Sequence, residues 1–201
     1  MNKIIKDAII LTVITLVAGF GLGYVHDITA GPIEDAENNK KQETYKNVLA
    51  GAKEFADVKI DKAGLAKNQE TFADQTVTEV VEGTVDGNKN GYVVTVVSKG
   101  GYGGDITMSV GISAETNMIT GVDFLSMSES PGLGDNAKKP EFNTQYVGKE
   151  AESFKVVKEP PKADEEIRAI TGATITSRCV TNGVSAALLY YNNVLTGGAE
   201  K

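Results

Sequence analysis

The chain of 201 residues contains one cysteine and one histidine. A lone Cys179 forms no internal disulfide, and no Cys/His cluster has the spacing of a zinc or iron–sulfur site. Cys179 lies one helical position from an apolar stripe, which reads as a small buried filler rather than a redox thiol. His26 adjoins a long apolar run, so Ser-His-Asp and metal-hydrolase chemistry are not expected in the rest of the chain. Basic clusters are lacking as well. The formal charge is −7, and the segment up to His26 carries +1 from Lys3, Lys6 and Asp7, which leaves −8 on the remainder. Nucleic acid and anionic lipid surfaces need grouped Lys and Arg and are not expected partners. Gly-x-x-x-x-Gly-Lys is absent, which argues against nucleotide hydrolysis. No internal repeat is visible.

What is present starts with Ala8 to Val25, an uncharged run whose length suits a membrane-spanning helix surrounded by lipid. It exceeds the apolar core of a cleaved signal peptide, and no clear Ala-x-Ala site follows, so a retained anchor is favoured. Lys3 and Lys6 precede it. The positive-inside rule then puts the N-terminus in the cytoplasm and the bulk of the chain across the membrane. This implies a cytoplasmic N-terminus over 1–7, a transmembrane helix over 8–25, a stalk and juxtamembrane helix over 26–75, and an extracytoplasmic domain over 76–201.

Gly31-Pro32 is expected to break the first helix, with a second over Ile33 to Phe55 whose Tyr45, Val48, Leu49, Ala52 and Phe55 share a face. From Thr76 the period becomes that of strands. Thr76–Val85, Tyr92–Ser98, Ile106–Ser113 and Met118–Met127 are separated by short Gly- and Asn-rich turns, and Phe154–Val157 makes a fifth short strand. Sequential strands with short turns predict an antiparallel meander. Together with the helices this is an α+β fold, an antiparallel β-meander packed with helices behind a single N-terminal transmembrane helix.

A hydroxyl-rich turn, Ile170-Thr171-Gly172-Ala173-Thr174-Ile175-Thr176-Ser177, precedes an amphipathic helix. Val180, Val184, Ala187, Leu188 and Tyr191 form its apolar stripe, and Gly197-Gly198 supplies a stop. Thr176 or Ser177 is expected as the N-cap. Free N–H groups and the helix dipole suit this turn to an anion, most naturally a phosphate, and Gly172 permits close approach of the backbone. Taken alone, such hydroxyls are more often caps and local hydrogen bonds. The stretch Ser128 to Gly148 reads as a long loop without regular structure, and such loops are often functional. Within it Glu129-Ser130-Pro131-Gly132-Leu133-Gly134 fits either a structural turn or a binding element.

Thr171-Gly172-Ala173-Thr174 is similar to the (Ser/Thr)-Gly-Ala-Thr signature of the FMN-binding domain found in the G subunit of Rnf complexes and the C subunit of sodium-translocating NADH:quinone oxidoreductases. Glu129 to Gly134 resembles a second signature of that family, and Gly101-Tyr102-Gly103-Gly104-Asp105-Ile106 a third. The likeness runs from about Gly91 to Val184 and extends to the anchor by architecture only. In size the chain resembles the Rnf G subunit.

The resemblance implies that Thr174 carries FMN through a phosphoester, with N–H groups from Gly172 to Ser177 around the phosphate and the flavin ring against Ser130-Pro131-Gly132-Leu133. Lys99 and Lys138 are weaker candidates for contact. A threonine hydroxyl is a poor nucleophile without a base or metal, and none is visible in the sequence, so a separate flavin transferase is implied. The other implied partners are the membrane subunits of an ion-translocating ferredoxin:NAD oxidoreductase, in which the chain relays electrons without independent turnover. The alternatives are a C subunit of the quinone reductase or another anchored FMN domain and, in a different class, a non-redox anchored structural module. The chain departs from the family pattern at Arg168, where Asp is frequent and is read by the transferase; Asp164, Glu165 and Glu166 lie upstream. A second departure is Ser130, where Thr is common.

Overall fold

Strands of β-branched residues are stable only when neighbours complete their ladders and something covers their apolar faces. The computed structural model, which describes residues 3–150 and 152–197, shows how both needs are met. The chain divides into two compact units, 1–42 and 43–201.

The first unit consists of helix α1 (Lys3–Val48) as far as residue 42. Among the described residues α1 is the one helix long and apolar enough to cross a membrane, and its apolar window is fully exposed. The 18 residues from Ala8 to Val25 cover about 27 Å at ~1.5 Å per residue, close to the hydrocarbon thickness of a bilayer. The expected break at Gly31-Pro32 does not occur, because α1 passes through Pro32. Proline's fixed φ is already helical, and its missing N–H removes a single backbone bond. The helix stops at Val48 instead of running to Phe55. Gly51 adopts a left-handed φ of 92°, and the Thr120 hydroxyl donates to Val48 O.

In the second unit, Glu54–Asp57 is a strand, β1, followed by α2 (Lys62–Thr71), β2 (Gln75–Val85), β3 (Asn88–Gly101), β4 (Gly104–Ser113) and β5 (Ile119–Ser126). The sheet has the order β1-β2-β3-β4-β5, antiparallel throughout, which is the expected meander with an added first strand. β1 and α2 both lie inside the span expected to be stalk, yet they belong to this unit. Side chains alternate between faces. Val94, Val96, Met108 and Val110 point to one, where α4 (Thr174–Tyr190) covers them with Val180, Val184, Ala187 and Leu188. Each buried aliphatic side chain of this set contributes about 1.5–3 kcal/mol.

The other face is closed by the end of α1. Tyr45, Val48, Leu49 and Ala52 pack with Val81 and Val93, so the expected apolar set does converge, with Phe55 partly buried beside it. Glycines make this possible: Gly83 pairs with Gly91 and Gly111 with Gly121 in register. A Cβ on Gly111 would sit 2.1 Å from Val48 O, and one on Gly121 2.8 Å from Val48 Cα. The helix end therefore rests on bare sheet backbone.

The expected loop from Ser128 to Gly148 contains short helical turns at Gly134–Lys138 and Thr144–Tyr146 and a one-turn helix, α3 (Pro140–Asn143). Burial of Ala137, Phe142 and Tyr146 folds this segment onto the core. The expected strand near Phe154 is β6 (Lys155–Val157), which pairs in parallel with an unexpected strand, β7 (Glu166–Arg168), in a separate two-stranded sheet. After α4 a π turn runs over Tyr191–Leu195, and Gly197 adopts a left-handed φ of 77°; Gly198 lies outside the described residues.

Gly111→Ala should overpack the contact with Val48 and lower stability by about 1–3 kcal/mol. Thermal unfolding of the detergent-solubilised chain would then start several degrees lower, and an unchanged midpoint would refute the close approach.

Candidate functional site

Helix α4 begins at Thr174, so neither Thr176 nor Ser177 is the N-cap; Ala173 holds that position and offers no side-chain bond. The first helical bond runs from Ser177 N–H to Ala173 O at 3.0 Å. The N–H groups of Thr174, Ile175 and Thr176 consequently find no acceptor among the described residues. Ser177 works one turn in. Its buried hydroxyl accepts from Ile170 N–H and donates to Ala173 O, both at 2.9 Å, which ties the turn to the helix. The same pattern recurs every fourth residue. Thr181 donates to Ser177 O at 2.7 Å and meets the Tyr146 hydroxyl at 2.9 Å, and Ser185 donates to Thr181 O while accepting from Phe154 N–H. A buried hydroxyl stripe thus pins the turn, the loop and the approach to β6 onto one helix. Thr176 is different: it is 1% exposed, and its hydroxyl has no partner among the described residues.

The loop after β5 meets this helix start. Ser130-Pro131-Gly132-Leu133 forms a type II turn, with Gly132 at φ 77° and Leu133 N–H donating to Ser130 O at 3.1 Å. Glu129 is 8% exposed and its Oε1 accepts from Gly103 N–H at 3.2 Å, which joins the loop to the β3–β4 turn. Gly134 is required at its position. A Cβ there would lie 2.3 Å from Glu129 Oε2 and 2.7 Å from Thr176 Oγ1.

These elements enclose a cavity of about 460 Å³, within the range of small-molecule sites. Tyr102 lines it from the β3–β4 turn, Glu129, Ser130, Leu133 and Gly134 from the loop, and Gly172, Ala173, Thr174, Ile175 and Thr176 from the turn and α4. Tyr102, Leu133 and Ile175 are exposed apolar side chains on its rim. Thr171 faces a second cavity of about 290 Å³, lined also by Lys158, Ala169, Ile170, Gly172 and Thr174. Thr174 therefore belongs to both walls.

The FMN-binding domain family matches residues 101–189, from the β3–β4 turn into α4. Over 194 residues the chain is 36% identical to the G subunit of the Na(+)-translocating ferredoxin:NAD(+) oxidoreductase complex of Acetobacterium woodii, covering 95% of this chain and 93% of that one. The chain belongs to this G-subunit family. It is also 32% identical over 180 residues to the G subunit of the proton-translocating ferredoxin:NAD(+) oxidoreductase complex of Clostridium ljungdahlii, with 89% and 86% of the two chains covered. Among solved structures, the crystal structure of the C subunit of Na(+)-translocating NADH-quinone reductase from Parabacteroides distasonis shares the fold, with a TM-score of 0.56 at 23% identity over 81% of this chain and 95% of that one.

The features of this G-subunit fold suit FMN. An unpartnered buried hydroxyl at Thr176, three free N–H groups at a helix start and an apolar rim offer partners to an anion and to a flat ring alike. Of the residues expected at the site, Pro131 and Gly132 shape the turn and Ser177 holds it from behind, while the others line one of the two cavities. Lys99 and Lys138 line neither, and Lys138 pairs with Asp135 at 2.6 Å. Arg168 is exposed, and its backbone is gripped by the Gln145 amide, which accepts from Arg168 N–H at 2.8 Å and donates to its carbonyl at 3.2 Å. Glu165 and Glu166 pair with Lys155. The side chains of Tyr102, expected only as part of the third signature, and of Ile175, expected only for its N–H, also line the larger cavity, and Lys158, not expected at all, lines the smaller. An aromatic side chain set between glycines was the available signal for Tyr102.

Cys179 is buried beneath the helix start, with its Sγ 3.3 Å from Ser98 Oγ. Burial pushes its thiol pKa up, and the carboxylates of Glu129 and Asp105 add to this while the Ser98 hydrogen bond opposes it. The thiolate is thus disfavoured. In the folded, detergent-solubilised protein at pH 8, Cys179 should resist a maleimide reagent over hours and react at once in denaturant; rapid labelling of the native state would contradict its packing.

Proposed function

We propose that this chain is a single-pass membrane flavoprotein subunit of an ion-translocating ferredoxin:NAD oxidoreductase, with FMN joined to Thr174 through a phosphoester. The observation that carries this reading is Thr174 itself. It is the first residue of a long helix, with three unpaired N–H groups beside it and a cavity on either side. Family membership supplies the identity of the cofactor.

When bound, FMN provides the electron-accepting and electron-donating chemistry. The chain holds and orients it. The unpaired N–H groups of Thr174, Ile175 and Thr176 make the start of α4 the positive end of the helix dipole, whose field favours a negative charge beside Thr174. Tyr102, Leu133 and Ile175 offer apolar contact. In this reading the chain relays electrons to and from the other membrane subunits of the complex and turns over no substrate by itself.

Lys3 and Lys6 orient the anchor with its N-terminus in the cytoplasm, so the flavin domain lies outside. Covalent attachment by a separate flavin transferase suits that location, since a dissociated cofactor there is lost by dilution.

Intact mass of denatured protein, purified from membranes of a host with the transferase, tests the proposal. The wild-type chain should be heavier by one FMN less one water, Thr174→Ser should retain the addition in part, and Thr174→Ala should lack it. An unmodified wild-type mass, or a modified Thr174→Ala, would overturn the assignment.

A further inference from the structure

We infer that Lys158 is the counter-cation of the phosphate at Thr174, and that the two cavities beside Thr174 separate the cofactor by charge, phosphate toward Lys158 and ring toward Tyr102 and Leu133. This rests on Thr174 as the attachment residue.

The two walls that share Thr174 differ in sign. In the larger cavity the charged lining group is the buried carboxylate of Glu129, accompanied by the apolar Tyr102, Leu133 and Ile175. A phosphodiester keeps one negative charge at neutral pH, and a carboxylate on the same wall repels it. In the smaller cavity Lys158 is the charged lining side chain, and the remainder is Ala169, Ile170, Thr171, Gly172 and Thr174. An ammonium there attracts the same charge and adds to the field of the helix start.

Backbone geometry, rather than the flexible side chain, fixes where this lysine emanates. Val157 is the register partner of Arg168 in the parallel β6–β7 pair, and Ala169 N–H donates to Val157 O at 2.8 Å. The residue after β6 is thereby held across from Ala169, at the entry to the turn that leads to Thr174. The neighbouring cation Lys155 is engaged by Glu165 and Glu166, at 3.3 and 3.4 Å. Among the described residues Lys158 enters no ion pair, so its charge is available. The parallel pair therefore has a task in the site: it brings a cation from the preceding strand to the phosphate side of Thr174.

The test uses the full-length chain produced with its transferase and purified from membranes, as wild type, Lys158→Ala, Lys158→Glu, Lys158→Arg and the control Lys138→Ala. Intact mass reads the flavinylated fraction under limiting transferase, and 31P NMR of the flavinylated fraction reads the phosphate environment against ionic strength. Lys158→Ala should lower the flavinylated fraction severalfold and Lys158→Glu about tenfold, with Lys158→Arg and Lys138→Ala near wild type. The wild-type phosphate resonance should move with added salt, and the Lys158→Ala resonance should be displaced and much less sensitive to salt. A flavinylated wild type whose 31P resonance and salt response are unchanged in Lys158→Ala would overturn the role of Lys158 and leave the attachment intact. A wild type without flavin would overturn the attachment, and this inference with it.

Discussion

The packing of α4 against β3 and β4 governs the rest of the second unit. Gly183 lets the helix descend until a Cβ there would meet Met108 Cε at 2.7 Å, and Ser98 donates to the Cys179 carbonyl at 2.8 Å from within the sheet. Depth and rotation of the helix are set by these two contacts. A helix so held cannot rotate to relieve unpaired N–H groups at its start, and no side chain among the described residues caps them. Burial of Val180, Val184, Ala187 and Leu188, each contributing about 1.5–3 kcal/mol where the side chain is Val or Leu, holds the helix in this position whatever its first turn lacks. The site is therefore an intact consequence of the core rather than an attachment to it.

The hydroxyls of Ser177, Thr181 and Ser185 extend that control outward. Each satisfies the helix's own carbonyl one turn earlier and has a lone pair left for a visiting segment: Ile170 N–H, the Tyr146 hydroxyl and Phe154 N–H in turn. A leucine stripe at these positions would give more apolar burial but no register. Because hydrogen bonds are directional, three unrelated segments are located to within the tolerance of a bond length. The turn, the helical loop and the start of β6 thus share one reference frame. Thr174, Leu133 and Lys158 stand at fixed places in it.

Much of this was legible in the residues. Strand periodicity located four strands of the meander, because alternating β-branched residues on a half-buried sheet leave a clear pattern. The turn at Ser130 to Leu133 and the positive φ of Gly132 follow from Pro-Gly. Among the features that escaped, three show why. Glu54 to Asp57 is too short and polar to read as a strand, and it becomes one only because β2 offers an open edge. Thr181 and Ser185, at four-residue spacing, look like a solvated helix face and are instead a second buried one. Lys158 and Thr174 are brought together by a parallel pair of three-residue strands, too short for a periodic pattern to announce.

The cavity edge shows the same economy. Tyr102, Leu133 and Ile175 are 73%, 47% and 54% exposed, although the domain elsewhere buries its large apolar side chains well. Single exposed hydrophobics need no explanation, but three around one opening, contributed by three separate segments, form a patch. Their positions are not accidents of loose loops. Gly103 leaves room for the Ser128 carbonyl, Gly134 for the Glu129 carboxylate, and Gly172, at φ 79°, for Leu133 Cδ2, where a Cβ would lie at 3.2 Å. Glycine at each junction allows rigid segments to approach without filling the space between them. The opening is thus held apart by packed backbone while its apolar side chains remain uncovered, an arrangement suited to contact with a planar ring.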